Sequence, residues 1–171
     1  MDEKFNQAMF YSNKATELVH EYDAAAVNFS NLEKVLNNLQ KALKLYRLSI
    51  KTYHDSVESY VGLAGVFIRQ RYADKAERVL KIALKLEPNN PYVHLNLARC
   101  YRDRKDTTNA ILEYKKALKL NPTFATAHFD LGCLFIDLSN LKKAKKHLTE
   151  AKKSDFPPIV QKADELLKII K

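Results

Sequence analysis

The chain has 171 residues, the length of one ordinary domain or one short array of repeats, and such a chain buries roughly 70 % of its unfolded surface on folding. Hydrophobic content of 46 % excludes a disordered chain, and only 3 Gly and 5 Pro with few β-branched runs point to helix. No stretch reaches the ~18 uncharged apolar residues of a membrane span, and the acidic opening MDEKFNQAMF is unlike a signal peptide. With no CxxC or Cys/His cluster around them, Cys100 and Cys133 read as buried, reduced thiols of a soluble cytoplasmic protein.

In chain order, the first predicted element is a helix over about 3 to 20, marked by Ala8 and Ala15. Steps of 34 residues from Ala8 reach Ala42, Ala76, Ala110 and Ala144, and the same steps from Ala15 reach Ser49, Ala83, Ala117 and Ala151. Bulkier residues follow the first ladder by four positions at Tyr46, Leu80, Tyr114 and Leu148, with Ser12 as the exception. A fourth ladder, Phe29, Leu63, Leu97 and Leu131, is followed each time by a small residue: Ser30, Ala64, Ala98 and Gly132. Small residues let two helices approach and large ones fill the groove beside them, so each beat predicts one helical hairpin. The first helix shares the register of the second helix of a hairpin with no partner before it. It is expected either to be a piece of a longer array or to act as an N-terminal cap.

The segment 23–56 is the weakest unit, with Ala26, Phe29 and Ser30 in place, Glu33 where an aromatic is expected and His54 at its end. Units follow at 57–90, 91–124 and 125–158. Asp55 with Glu58 suggests a capping box, and Asn90 before Pro91 and Asp106 suggest helix N-caps. Over 158–171, Ile159, Ala163, Leu166 and Ile170 form one stripe with charges opposite, and Pro158 suits a first helical turn. A capping helix is expected there, because a terminal repeat otherwise exposes its apolar face.

Tyr60, Leu63, Ala64, Phe67, Ala76, Leu80, Ala83 and Pro88 form one set of fixed spacings. His94, Leu97, Ala98, Tyr101, Ala110, Tyr114, Ala117 and Pro122 form the next, and His128, Leu131, Gly132, Phe135, Ala144, Leu148 and Ala151 a third, with Phe156 where Pro would stand. The pattern resembles the tetratricopeptide repeat. The resemblance implies an all-α, right-handed superhelical solenoid of antiparallel hairpins with a C-terminal capping helix. It also implies a non-catalytic scaffold or adaptor whose concave groove, lined by the first helix of each hairpin, holds a partner peptide or helix.

On that resemblance the groove residues are Gly62, Gly65 and Arg69, then Tyr92, Asn96, Arg99 and Arg102, then Phe129 and Asp130. Asn96 is suited to a ligand backbone, Arg99 and Arg102 to carboxylates, and Tyr92 to apolar area with a polar tip. The expected partner is therefore a protein or peptide of acidic or mixed acidic and apolar character. Gly62 and Gly65 lie inside a helix, where each costs about 1 kcal/mol relative to Ala. Two readings stand: a partner backbone comes close there, or two helices of the chain do. Family members that clamp the carboxyl terminus of heat-shock chaperones need Lys, Asn, Asn, Lys and Arg where this chain has Val61, Gly65, Asn96, Thr126 and Asp130. Asp130 would repel a terminal carboxylate, so that reading is rejected.

Net charge is +9, and residues 1–56 carry 7 Lys/Arg against 7 Asp/Glu, which leaves 22 against 13 in 57–171. The run LKKAKKHLTEAKK at 141–153 reads as a solvated outer face, because lysines lack the fork that reads bases and no aromatics interleave. A nucleic-acid-binding repeat protein is therefore the alternative and not the leading reading, beside a regulatory segment of a larger protein. No GxSxG, phosphate-cradling Gly loop, HExxH or activated carboxylate pair is present, so neither enzyme activity nor a cofactor is expected. His94 and His128 recur at the repeat spacing at an aromatic position, and His20 and His54 fall where helices end; packing, not metal binding, is expected. The partner's identity and the oligomeric state are not written in the sequence.

Overall fold

The computed structural model describes residues 3–25 and 32–170, with side chains at 3–20 and 36–170. These residues form α1 (Glu3–Ala25), α2 (Leu32–Thr52), α3 (Val57–Arg69), α4 (Ala73–Leu86), α5 (Pro91–Asp103), α6 (Thr107–Leu120), α7 (Ala125–Asp137), α8 (Leu141–Ala151) and α9 (Pro157–Ile169), with no strand among them. The chain divides into two compact units, Met1–Pro88 and Asn89–Lys171. All ten positions of the two small-residue ladders are at most 1 % exposed. The 34-residue beat is thus the spacing of helix-to-helix contacts.

In the first unit the Ser49 hydroxyl donates to the Ala8 carbonyl at 2.7 Å, and the Thr16 and Tyr46 hydroxyls lie 2.9 Å apart. Early residues of α1 thus meet late residues of α2, and the two helices run antiparallel. They are long, with 23 and 21 residues against 13 and 14 in α3 and α4. Segment 23–56 therefore differs from a two-helix unit of ordinary length. Residues 32–52 form one unbroken helix, with Glu33 on it, while Ala26, Phe29 and Ser30 lie outside the described residues. Among the described residues, the first helix packs on the helix that follows it, α2. The N-cap of α3 is Ser56 and not Asp55, and the expected capping box is replaced by a chain of hydroxyls, Ser56–Ser59 and Ser59–Ser49, each 2.7 Å.

In the second unit the caps follow the sequence more closely. The Asn90 side chain accepts from the backbone N–H of Tyr92 and Val93, and Asp106 accepts from that of Asn109. Asn140 does the same for Lys143. One apolar cluster runs through this unit, from Leu95 and Ala98 through Tyr114, Leu131, Phe135 and Leu148 to Ala163 and Ile170. At Gly132 a β-carbon would meet the Leu148 side chain at 2.9 Å, which explains the small residue there by the approach of α7 to α8. Helix α9 starts with Pro157 and Pro158 in its first turn and lays Ile159, Leu166 and Leu167 on the cluster, the capping role its stripe predicts.

The turn inside each of the last three hairpins is the same object. The N–H groups of Tyr72, Asp106 and Asn140 reach back to the carbonyls of Phe67, Tyr101 and Phe135 at 2.9, 2.9 and 2.8 Å. Between them Arg71, Lys105 and Ser139 take φ of 63°, 62° and 57°. This is the helix-ending motif that glycine usually completes. Here three residues with side chains complete it instead.

Candidate functional site

The predicted groove residues fall in both units. In the first, Gly62 faces the chain itself: a β-carbon there would come within 2.3 Å of the Tyr46 ring on α2. Its small size is explained by the closeness of α3 to α2. Gly65 differs, since among the described residues a β-carbon would touch only the Arg69 guanidinium, at 3.4 Å. Arg69 is folded along its own helix, donating from Nη1 to the Gly65 carbonyl at 3.2 Å.

In the second unit, α5 and α7 bring three charged groups together. Arg99 donates from Nε to Asp130 Oδ2 at 2.6 Å, and Arg102 Nη1 stands 3.9 Å from Oδ1 of the same carboxylate. The Asp130 side chain is 11 % exposed and that of Arg102 32 %, so the acid is sunk and the second cation reaches solvent. Beneath them is Tyr114 of α6, fully buried, whose hydroxyl has no hydrogen-bond partner among the described residues. Burial, with the field of Asp130 adding to it, holds that phenol well above its ordinary pKa, so it stays protonated. Burial and Asp130 together push the neighbouring Cys133 thiol up to about 11. It is half-buried, not fully buried as expected, and its thiol is neutral near pH 7, a state unsuited to nucleophilic chemistry. Cys100 is fully buried, as expected.

The other predicted residues have distinct fates. Tyr92 is exposed and packs edge-to-face on Phe124 with ring centres 4.9 Å apart. Phe129 is half-buried against the apolar cluster. Asn96 is 6 % exposed and donates to the Tyr92 carbonyl at 3.0 Å, so its amide serves its own helix before any ligand.

Residues outside the predicted set make two polar cross-links between the helices of a hairpin. His94 Nδ1 lies 2.6 Å from Glu113 Oε2, and Lys116 donates to Oε1 of the same carboxylate at 2.7 Å. His128 Nδ1 lies 3.0 Å from His147 Nδ1. The partners are nineteen residues apart in both cases. His94 and His128 do pack at the aromatic position, as expected, but each also carries a polar partner that the ladder of small residues does not show. The recurring offset was the signal available in the sequence.

Family profiles for the tetratricopeptide repeat match residues 98–138 and 125–157. Residues 98–157 carry tetratricopeptide repeats. Solved structures agree on the fold. A thermophilic tetratricopeptide repeat protein of Thermus thermophilus superposes with a TM-score of 0.69 at 20 % identity, covering 87 % of this chain and 77 % of that one. MamA superposes at 0.62 and 17 %, covering 84 % and 82 %. An O-GlcNAc transferase of Thermobaculum terrenum superposes at 0.70 and 15 %, covering 90 % of this chain and 27 % of its own.

Among curated proteins, human antiviral innate immune response effector IFIT1 is 28 % identical over 105 residues, 49 % of this chain and 22 % of that protein. The peroxisomal targeting signal receptor of Candida albicans is 30 % identical over 88 residues, 52 % of this chain and 15 % of that protein. The chain thus spans about a fifth or less of the length of these curated relatives. Tetratricopeptide repeats are in general scaffolds for protein–protein interaction. Among the described residues, no helix is long and apolar enough to cross a membrane.

Proposed function

We propose that this tetratricopeptide array is a non-catalytic adaptor in the cytoplasm, and that α5 and α7 take a partner peptide on the wall where Arg99, Arg102 and Asp130 meet. The observation that carries it is the charge count at Asp130. One sunken carboxylate faces two guanidinium groups, and the second stands 3.9 Å off and a third exposed. A carboxylate from outside can take a two-point hydrogen bond from Arg102 without breaking the 2.6 Å pair of Arg99. Asp103 and Asp137 are inward positions of the same two helices by the family pattern, so the wall favours a single acidic side chain over an acidic run. Tyr92, in the first turn of α5, and Phe129, next to Asp130 in sequence, offer apolar area on the same two helices.

The test starts from a random peptide library displayed on phage and selected on the immobilised chain. Selected peptides are then titrated against the wild type and Arg102→Ala. Enrichment of Asp or Glu, with at least a tenfold loss of affinity in Arg102→Ala at unchanged melting temperature, supports the reading. Peptides without acidic residues, or equal binding to the variant, would overturn it. Arg102 is the better probe than Arg99, whose removal strands Asp130.

A further inference from the structure

The slot that cross-links helix to helix nineteen residues apart is filled differently in each of the last three hairpins. By register it holds Tyr60 and Val79, then His94 and Glu113, then His128 and His147. The middle slot is closed, since the carboxylate of Glu113 lies between the His94 ring and the Lys116 ammonium. The last slot instead holds two imidazoles nitrogen to nitrogen.

Proton placement there follows from one contact. His128 Nε2 lies 3.0 Å from the Pro122 carbonyl oxygen, which can only accept, so Nε2 carries the proton and Nδ1 presents a lone pair. In the resting pair His147 therefore donates its Nδ1 proton across the 3.0 Å gap. The His147 ring is fixed from its other side by Phe135, stacked at 5.6 Å and 18°. Both histidines are half-buried and within reach of solvent ions.

We propose that His128 and His147 form a two-histidine site for a divalent, imidazole-preferring cation, with zinc as the ion of first choice. Two nitrogens bound to one tetrahedral zinc at about 2.0–2.1 Å stand roughly 3.3 Å apart, and the observed 3.0 Å needs only a small opening. The hydrogen bond from His128 to Pro122 is the outer contact that usually orients a metal-bound imidazole. On binding, the His147 Nδ1 proton moves through solvent to its Nε2, leaving two Nδ1 lone pairs on the metal and no net proton release.

The Lys146 and Lys115 ammonium groups lie within electrostatic range of His147 and disfavour added positive charge there. Among the described residues no third His, Cys, Asp or Glu completes a cluster, so water fills the remaining positions. The two lysines limit affinity for a dication. A micromolar site is expected, tighter than a lone surface histidine.

The full chain, without an affinity tag and freed of metal by a chelator that is then removed, is titrated with zinc chloride by calorimetry at neutral pH. One zinc per chain is expected, with affinity falling at least tenfold in His147→Gln and in His128→Gln and unchanged in His54→Gln, an exposed histidine. His147→Phe retains an aromatic ring against Phe135 while removing the lone pair, and its melting curve guards against loss of fold. Nitrogen chemical shifts of the imidazoles are expected to place the metal on Nδ1. Absence of saturable one-to-one binding at micromolar zinc, or binding that survives both glutamine variants, would overturn the proposal.

Discussion

Gly62 and Gly65 are three residues apart and identical in type, yet their surroundings give them opposite roles. Alanine at 62 must displace the Tyr46 ring, which lies 2.3 Å from the new carbon and whose hydroxyl is 2.9 Å from that of Thr16. Overpacking of this kind costs about 1–3 kcal/mol. Among the described residues, alanine at 65 meets only the end of a flexible arginine at 3.4 Å, and it regains about 1 kcal/mol of helix propensity. Gly65→Ala is therefore expected to raise the melting temperature and Gly62→Ala to lower it. Thermal unfolding monitored by circular dichroism checks both, and stabilisation by Gly62→Ala would show that the two helices do not approach so closely. Peptide binding that drops in Gly65→Ala while its stability rises would assign Gly65 to the ligand. The sequence shows that both glycines are costly, but it cannot say which neighbour uses the space.

At the scale of a hairpin, α5 and α6 are joined by apolar packing and by the His94–Glu113–Lys116 link. Burial of the Glu113 carboxylate works to raise its pKa, but hydrogen bonds from His94 and Lys116 outweigh it, and the net shift is downward from 4.5. A carboxylate with a depressed folded-state pKa contributes stability that is present above its unfolded value and lost as pH falls through its folded one. Glu113→Gln is thus expected to be destabilised by about 1–3 kcal/mol near pH 7, with the gap to wild type closing as pH falls below 4.5. Urea unfolding of both chains across that range measures it, and a gap constant with pH would mean the charge of Glu113 does not contribute.

What the sequence made legible at this scale was spacing. The ladders put Ala76, Ala83, Ala110, Ala117, Ala144 and Ala151 in the buried seams, and Asn90 and Asp106 were readable as caps because their side chains act locally. The hairpin turns were not readable, since Arg71, Lys105 and Ser139 occupy a left-handed position that sequence rules reserve for glycine. The unbroken helix at 32–52 was hidden for another reason: Ala42 and Ser49 keep the repeat register whether or not a turn precedes them.

For the molecule as a whole, the division at Pro88 and Asn89 allows a direct test of where cooperativity resides. The apolar cluster from Leu95 to Ile170 is made of residues from α5 to α9 alone. It is sealed at its end by Ala163 and Ile170, 0 % and 6 % exposed, while Lys152 pairs with Asp164 across α8 and α9. In a repeat array, stability is approximately a sum over hairpins and their nearest interfaces. A fragment of residues 89–171 holds two hairpins, the interface between them and a cap. It is therefore expected to be helical and to melt in a single sigmoidal transition. Ending the fragment after Ser154 removes α9 and uncovers apolar surface on α7 and α8, so that shorter piece is expected to melt at a lower temperature and to associate. Circular dichroism and analytical ultracentrifugation of the two fragments decide the matter. A featureless melt of 89–171 would mean that its cluster does not suffice and that the array folds only as one body. If instead both pieces melt alike, α9 is not the cap that its stripe and its buried residues indicate.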